Sequence, residues 1–343
     1  MEKLFLRKKS RDVTIYEIKG DGAGSRMKNP SPLKRFIVTT AETREICNSP
    51  EIIGMEFKRK LSDGLTKAMA ALPPECRFGD FPDDTVCVLH FLRGGLVFNL
   101  TEVLHRAFGF NRHYSSFITS QRYRRGSNWH IKYDQYRKLS FPQKDINFFL
   151  GDVVATGTTL ENGLEIVFKF CRDNRKNIRN FILFTIGCER TEQILERYHK
   201  RFSRHFDYEN TYVFYVEGKF SIPAAKTDFR VCLPGTDLVR KPALLSPEFE
   251  KSQSEKLSYP LERCVVYDIS SRAFDFPVHI GDVLDYWKAL GKSGMSFKDA
   301  YKERWGEPPA NTHKGSLAEF ARRRMREIKN EIAGGKRPVN LER

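Results

Sequence analysis

Short apolar runs recur along the first part of the chain, at Val13–Ile18, Arg35–Thr39, Thr85–Leu92, Tyr114–Thr119, Ile146–Asp152, Asn180–Gly187 and Thr211–Val216. Ile146-Asn147-Phe148-Phe149-Leu150 and Phe181-Ile182-Leu183-Phe184 are almost unbroken, which suits strands buried on both faces of a parallel sheet. Between the runs, apolar residues return at helical spacing over Glu51–Ala71, Gly95–Phe108, Thr158–Cys171 and Thr191–His205. This alternation predicts an α/β fold with a mainly parallel central sheet and flanking helices.

The pattern changes near Leu244. The stretch Ser246–Pro260 is polar and bracketed by prolines, and reads as a linker or long loop. Helical patterns follow at His279–Leu290, Ser296–Trp305 and Ser316–Ile332, the last opening on a capping box, Ser316-Leu317-Ala318-Glu319. The expected organisation is an α/β domain over 1–245 and a linker with a mostly helical C-terminal extension over 246–343, its tail frayed beyond Gly334.

Composition narrows the class. Of 343 residues 40% are hydrophobic and 27 are Phe, enough for a large core. The formal charge of +16 attracts anions, from small phosphates to nucleic acid, or simply solvates the surface. Seven cysteines without C-x-x-C spacing read as reduced cytosolic thiols, not as a disulfide frame or zinc site. The charged start at Met1-Glu2-Lys3 lacks a signal peptide's apolar core, and no apolar stretch reaches the ~18 residues of a membrane span, so a cytoplasmic protein is expected.

The most informative segment is Phe148–Leu160, FFLGDVVATGTTL. An apolar strand runs through an acid and a small-residue turn into a helix, aiming backbone N–H groups and threonine hydroxyls at a helix N-terminus that favours phosphate. Five residues separate Gly151 from Gly157 and Thr158 stands in place of a lysine, so this is not a P-loop. Gly20-Asp21-Gly22-Ala23-Gly24 precedes a proline-rich stretch and reads as a turn, not a dinucleotide fingerprint.

The segment resembles the PRPP-binding signature of the type I phosphoribosyltransferases, nearest in motif style to uracil phosphoribosyltransferases. The family places two adjacent acids on the ribose hydroxyls. Here Asp152 keeps the second, with an indirect link to metal, and Gly151 replaces the first. Ala155, Thr156, Gly157, Thr158 and Thr159 match the 5-phosphate loop. Several purine enzymes carry an Asp base at the position of Ala155, so a general base would come from elsewhere.

A second loop, Arg93-Gly94-Gly95, follows the apolar run Thr85–Leu92 and resembles the family's pyrophosphate loop. The glycines expose backbone N–H groups and Arg93 adds charge. Between the loops, Arg122, Arg124, Arg125 and Lys132 match a mobile basic arm that closes over PRPP, with Arg124 also a catalytic candidate. A solvated basic hairpin, or nucleic-acid contacts with stacking on Tyr123 and Trp129, would share that composition. Downstream, Gly235 and Asp237 lie in a segment similar to the uracil-contacting one.

The resemblance implies displacement at the anomeric carbon of PRPP, aided by Mg²⁺, Arg93 and Asp152, with a base or amine as acceptor. Two alternatives stay open. One is a regulator with this fold that binds PRPP or a nucleotide. The other is an effector of a bacterial conflict or defence system that consumes nucleotides and associates with nucleic acid. The helix from Ser316 is expected to bury Leu317, Phe320, Ala321, Met325 and Ile328 and to offer Arg322, Arg323, Arg326 and Lys329 to solvent, nucleic acid or an acidic partner. A homo-oligomer is also open.

Overall fold

The computed structural model describes residues 2–20, 31–119, 121–125, 128–133, 136–224, 229–309 and 315–334; within 121–133 the side chains of all but Ile131 lie outside that description. The Gly20–Gly24 turn beyond its first residue, and the tail beyond Gly334, lie outside the described residues.

The strands are β1 (Lys3–Lys9), β2 (Val13–Lys19), β3 (Lys34–Thr40), β4 (Val86–Leu92), β5 (Tyr114–Thr119), β6 (Gln121–Arg125), β7 (Asn128–Tyr133), β8 (Arg137–Lys138), β9 (Asp145–Val154), β10 (Asn177–Cys188), β11 (Asn210–Ser221) and β12 (Val239–Leu245). One sheet runs in the order β1-β2-β3-β11-β10-β9-β4-β5-β8, with β12 also beside β11. Its centre, β3-β11-β10-β9-β4-β5, is parallel, and β1, β2, β8 and β12 pair antiparallel at the margins. The hairpin β6–β7 stands apart.

Side chains alternate between the two faces of the central strands. Phe149, Ile182, Phe184 and Phe214 join one core cluster, while Phe148, Leu150, Leu183 and Tyr215 join the other. The first is covered by α1 (Ala41–Asn48), α2 (Gly54–Ala70), α3 (Gly95–Phe98) and α4 (Leu100–Phe108), the second by α5 (Thr158–Asp173) and α6 (Glu189–His205). Two predicted helices differ. The one expected from Glu51 begins at Gly54, and the short polar α1, capped reciprocally by Thr40 and Thr43, precedes it. Pro50 keeps the two apart, because the residue before a proline avoids helical geometry. The one expected over Gly95–Phe108 breaks at Asn99, whose φ of 51° is left-handed.

The C-terminal part holds α7 (Pro247–Ser252), α8 (Ile269–Phe274), α9 (Phe276–Gly291), α10 (Phe297–Arg304) and α11 (Leu317–Ala333). Of the linker or loop expected over Ser246–Pro260, the first part is instead helix α7, with Ser246 as its N-cap, and residues 253–260 form turns. Phe249 is buried in the first cluster, and Gln253 donates to Asn48 Oδ1 at 2.8 Å. A polar stretch thus packs inward because its amides and hydroxyls find partners there. Helices α9–α11 build a core of their own around Trp287, Tyr301, Phe320 and Ile328. The capping box of Ser316 and Glu319 forms as read. Arg324, within the basic run, is buried and paired with Glu262 at 3.0 Å and Glu51 at 2.8 Å, so it adds nothing to the outer basic face. Among the described residues, no helix is long and apolar enough to cross a membrane.

Candidate functional site

Strands β4 and β9 are parallel neighbours, in register from Val86 against Asn147 to Leu89 against Leu150, so both loops leave the sheet at one rim. They meet in a cleft of about 500 Å³ lined by Arg93 and Gly94 from one and by Asp152–Gly157 and Thr159 from the other. A Cβ on Gly94 would stand 3.3 Å from Asp152 Oδ1, so the turn is pressed against the carboxylate. Asp152 is only 8% exposed, and its Oδ1 accepts from the Val153 N–H at 2.9 Å. Arg93 is exposed on the lining, after a cis Leu92–Arg93 peptide.

The phosphate loop owes its shape to Gly157. Its φ is 76°, and a Cβ there would fall 2.2 Å from Ile194 Cδ1, so neither backbone nor space admits a side chain. The N-cap Gly157 has no side chain to cap α5, the Thr158 N–H is met by Thr156 Oγ1 at 3.4 Å, and such a helix start suits an anion. Thr156 and Thr158 place their hydroxyls 3.2 Å apart at that turn. Of the five residues matched to the 5-phosphate, Ala155, Thr156, Gly157 and Thr159 line the cleft and Thr158 stands behind them.

Gly151 has a physical cause. A Cβ at this position would lie 2.4 Å from both Cβ and Cγ of Phe98, which is wholly buried at the end of α3. The helix after the pyrophosphate loop therefore occupies the space a first acid would need. Gly95, expected beside Gly94 on the ligand, is instead buried against β4, where a Cβ would stand 3.1 Å from the His90 Cα, and it does not line the cleft.

In overall architecture the chain is similar to several solved structures. The AQ2163 protein of Aquifex aeolicus is 15% identical, with 54% of this chain and 89% of that one aligned at a TM-score of 0.36. A hypoxanthine phosphoribosyltransferase of Staphylococcus aureus is 18% identical, over 60% of this chain and 88% of that one, at 0.25. A hypoxanthine-guanine phosphoribosyltransferase of Bacillus anthracis is 16% identical, over 55% and 94%, at 0.28. No protein-family model matches the chain, and no curated protein matches it.

The remaining predicted residues divide. The backbones of Arg122, Arg124, Arg125 and Lys132 lie on the β6–β7 hairpin, and β7 runs against α5; their side chains lie outside the described part. Gly235 sits at a turn with φ 76° and off the lining. Asp237 lines the cleft, but its carboxylate is engaged: both oxygens accept from Arg263 Nε at 3.0 and 2.9 Å, and Oδ2 accepts from the Leu233 N–H at 2.8 Å. Burial alone would pull the Arg263 guanidinium down, yet the bond and charge of Asp237 hold it above its ordinary value.

Sequence reasoning missed the opposite wall. Val266–Ser270 and Asp282, beyond the last strand, line the same cleft. The virtual Cβ of Gly94 is 3.2 Å from Ile269 Cγ2 and 3.9 Å from Ser270 Oγ, so α8 abuts the pyrophosphate loop. Asp268 caps α8, accepting from the Ser270 and Ser271 N–H groups at 2.8 and 3.2 Å, and an Asp before Ile-Ser-Ser was the available signal. The anchor behind the wall is Arg272, fully buried, donating to the carbonyls of Ile52, Ile46 and Ser49 at 2.7, 2.9 and 2.6 Å over the Phe57 ring. Burial pulls this guanidinium down to about 10.

Proposed function

We propose that the cleft binds PRPP and transfers its phosphoribosyl group to a base or another amine, releasing pyrophosphate. The observation that carries this reading is the meeting of the Arg93–Gly94 turn and the Asp152–Thr159 loop in one cleft, with Gly94 against the Asp152 carboxylate. In this reading the N-terminus of α5 and Thr156–Thr159 take the 5-phosphate, as such a helix start suits a phosphate. Asp152 accepts from a ribose hydroxyl. Arg93 and the backbone of Gly94 take the diphosphate. The cations of β6–β7, Arg122, Arg124, Arg125 and Lys132, close over it from beside α5 and exclude water.

The bond from the anomeric carbon to the diphosphate oxygen breaks as the acceptor nitrogen bonds to that carbon, the electron pair leaves on the diphosphate, and the acceptor's N–H proton passes to a departing diphosphate oxygen. The protein's share is positioning and charge stabilisation. Among the described residues, no group of three or more His, Cys, Asp or Glu is placed to hold a metal, and Phe98 closes the place of a first acid. The residues therefore fit Mg²⁺ only as an ion carried by the substrate's phosphates. When bound, the ion supplies neutralising charge to the departing diphosphate.

The test is PRPP titration by calorimetry with Mg²⁺, then pyrophosphate release across purine and pyrimidine bases and simple amines. Saturable binding and release with one acceptor class are expected. No PRPP binding overturns the reading. Binding without release with any acceptor would point instead to a PRPP-holding regulator.

A further inference from the structure

The other edge of the sheet, where β9, β10 and β11 begin, carries a hollow of about 950 Å³. Its floor is amide and carboxylate. Asn180, buried, donates to Asn147 Oδ1 at 2.9 Å and to Glu209 Oε2 at 3.1 Å, and accepts from Asn210 Nδ2 at 3.2 Å, so an asparagine ladder crosses the three strands. Its rim is cationic. Arg179 takes both Asp207 and Glu209, and the Asp145 carboxylate accepts from Asn177 Nδ2. The hollow's acids are thus engaged, while Lys144, Arg175 and Arg204 are exposed and, among the described residues, no ion pair or hydrogen bond holds their side chains.

Complementing helix ends explains only some of this charge. Arg204 lies in the last turn of α6 and suits its carbonyl end. Lys144 precedes β9 and touches no helix end. Arg175 holds a left-handed φ of 53° just after α5, a conformation glycine adopts without cost and the usual residue there. Its side chain is exposed and lines the hollow, so its charge is open to an anion there.

We infer that this hollow docks a single-stranded nucleic acid, with phosphates on the rim cations and bases turned toward the floor. A compact anion would be repelled from a floor of carboxylates and helix carbonyl ends, so small phosphates fit poorly. An extended polyanion straddling the rim avoids that repulsion. Its bases would then meet the exposed carboxylates of Asp145, Asp207 and Glu209, whose oxygens keep lone pairs beyond their present bonds and can accept from exocyclic amino groups, as acids do from cytosine. The half-buried Phe81 and Phe206 on the lining supply ring surface for stacking. A duplex shows only the groove edges of its bases and cannot turn their faces onto Phe81 and Phe206, which a single strand can.

The experiment measures fluorescence anisotropy of a short labelled single-stranded oligonucleotide with the full chain at low and moderate salt. Its arms are a duplex and a base-free sugar-phosphate oligomer of equal length. The test variant is K144E/R175E/R204E. The control, R322E/R326E/K329E on α11, loses the same formal charge at exposed positions elsewhere. Far-UV circular dichroism and melting check folding, and all six positions are exposed. The expected result is single-strand binding that falls at least roughly tenfold in the test variant, with a salt slope shallower by about two, and little change in the control. Equal loss in both variants, loss only in the control, or no binding at low salt overturns the inference. So does equal binding of the duplex or the base-free oligomer. PRPP titration of the test variant separates this result from the fate of the rim cleft, because none of its three positions lines that cleft.

Discussion

The two ends of the same parallel strands are built by opposite means. At the rim, glycines and backbone make the surface: Gly94 lies close on the Asp152 carboxylate, while Gly157 on Ile194 and Gly151 on Phe98 leave no room for a methyl group. At the other edge, long cations stand exposed around a floor of amides. The rim would recognise the proposed ligand by fit, so one added carbon at Gly151 or Gly157 should disturb it. The basal hollow would recognise by charge spread over several flexible arms, so no single residue should be decisive. The difference also lies in what supports each end. The rim needs a wall from the distant segment Val266–Ser270, whereas the hollow is made from the strands and helices that define the sheet.

The largest effect should come from that wall's anchor. Arg272→Met removes the donors to three buried carbonyls, and the expected loss is about 3–5 kcal/mol in urea unfolding. Because α8 abuts Gly94, PRPP affinity should fall in the molecules that remain folded, while oligonucleotide binding by them should not. A loss under about 1 kcal/mol would mean that the rim is self-supporting and the contrast is false.

Next comes Gly151→Asp, which restores the acid that the family pattern expects. The Phe98 ring stands in its way, and about 2–3 kcal/mol of destabilisation is expected from overpacking. A cycle with Phe98→Ala sharpens the point. The double variant should be less destabilised than the sum of the singles by at least about 1 kcal/mol, because removing the ring makes the space that the new side chain needs. Additive losses would show that Phe98 is not what excludes an acid.

The same contrast explains what could be read from the sequence. The central strands were legible because both faces are apolar, as in Phe148-Phe149-Leu150 with its neighbours on opposite clusters. The strand–turn–helix of β9 and α5 was legible because its signals are local: apolar strand, acid, small residues and helix are contiguous from Phe148 to Leu160. The C-terminal wall was not, because its meaning lies in partners far along the chain. Arg272 looks like any surface arginine until Ile46, Ser49 and Ile52 supply its acceptors. Arg324 is opaque in the same way, as its partners Glu51 and Glu262 lie far along the chain. Strands β1 and β12 escaped notice for another reason: one is largely exposed, and the other contains Pro242, so neither shows the pattern of a buried strand.

A smaller effect on stability, and a specific one on binding, is expected for Asp152→Asn. The amide oxygen can still accept from the Val153 N–H, so melting should change little. What is lost is the charge that accepts from a ribose hydroxyl. PRPP affinity should weaken roughly tenfold, about 1.4 kcal/mol. A large drop in melting temperature with unchanged affinity would make Asp152 a structural residue of the rim and remove the carboxylate from the proposed chemistry.

The smallest effects belong to the hollow taken one cation at a time. Lys144→Ala, Arg175→Ala and Arg204→Ala each remove a single exposed charge, and none should move the melting temperature. For a single strand, each phosphate contact contributes about 0.7 to the slope of log affinity against log salt. Each variant should therefore lower that slope by about 0.7 and weaken oligonucleotide binding only a few-fold at moderate salt. The three losses should also add, since flexible cations on separate elements share no partner among the described residues. Arg175→Gly offers a further separation: it removes the charge and relieves the left-handed backbone, so stability should rise while binding falls. If one of the three positions carried nearly all the binding, the hollow would be a fitted site like the rim, and the distinction between the two ends of the sheet would collapse.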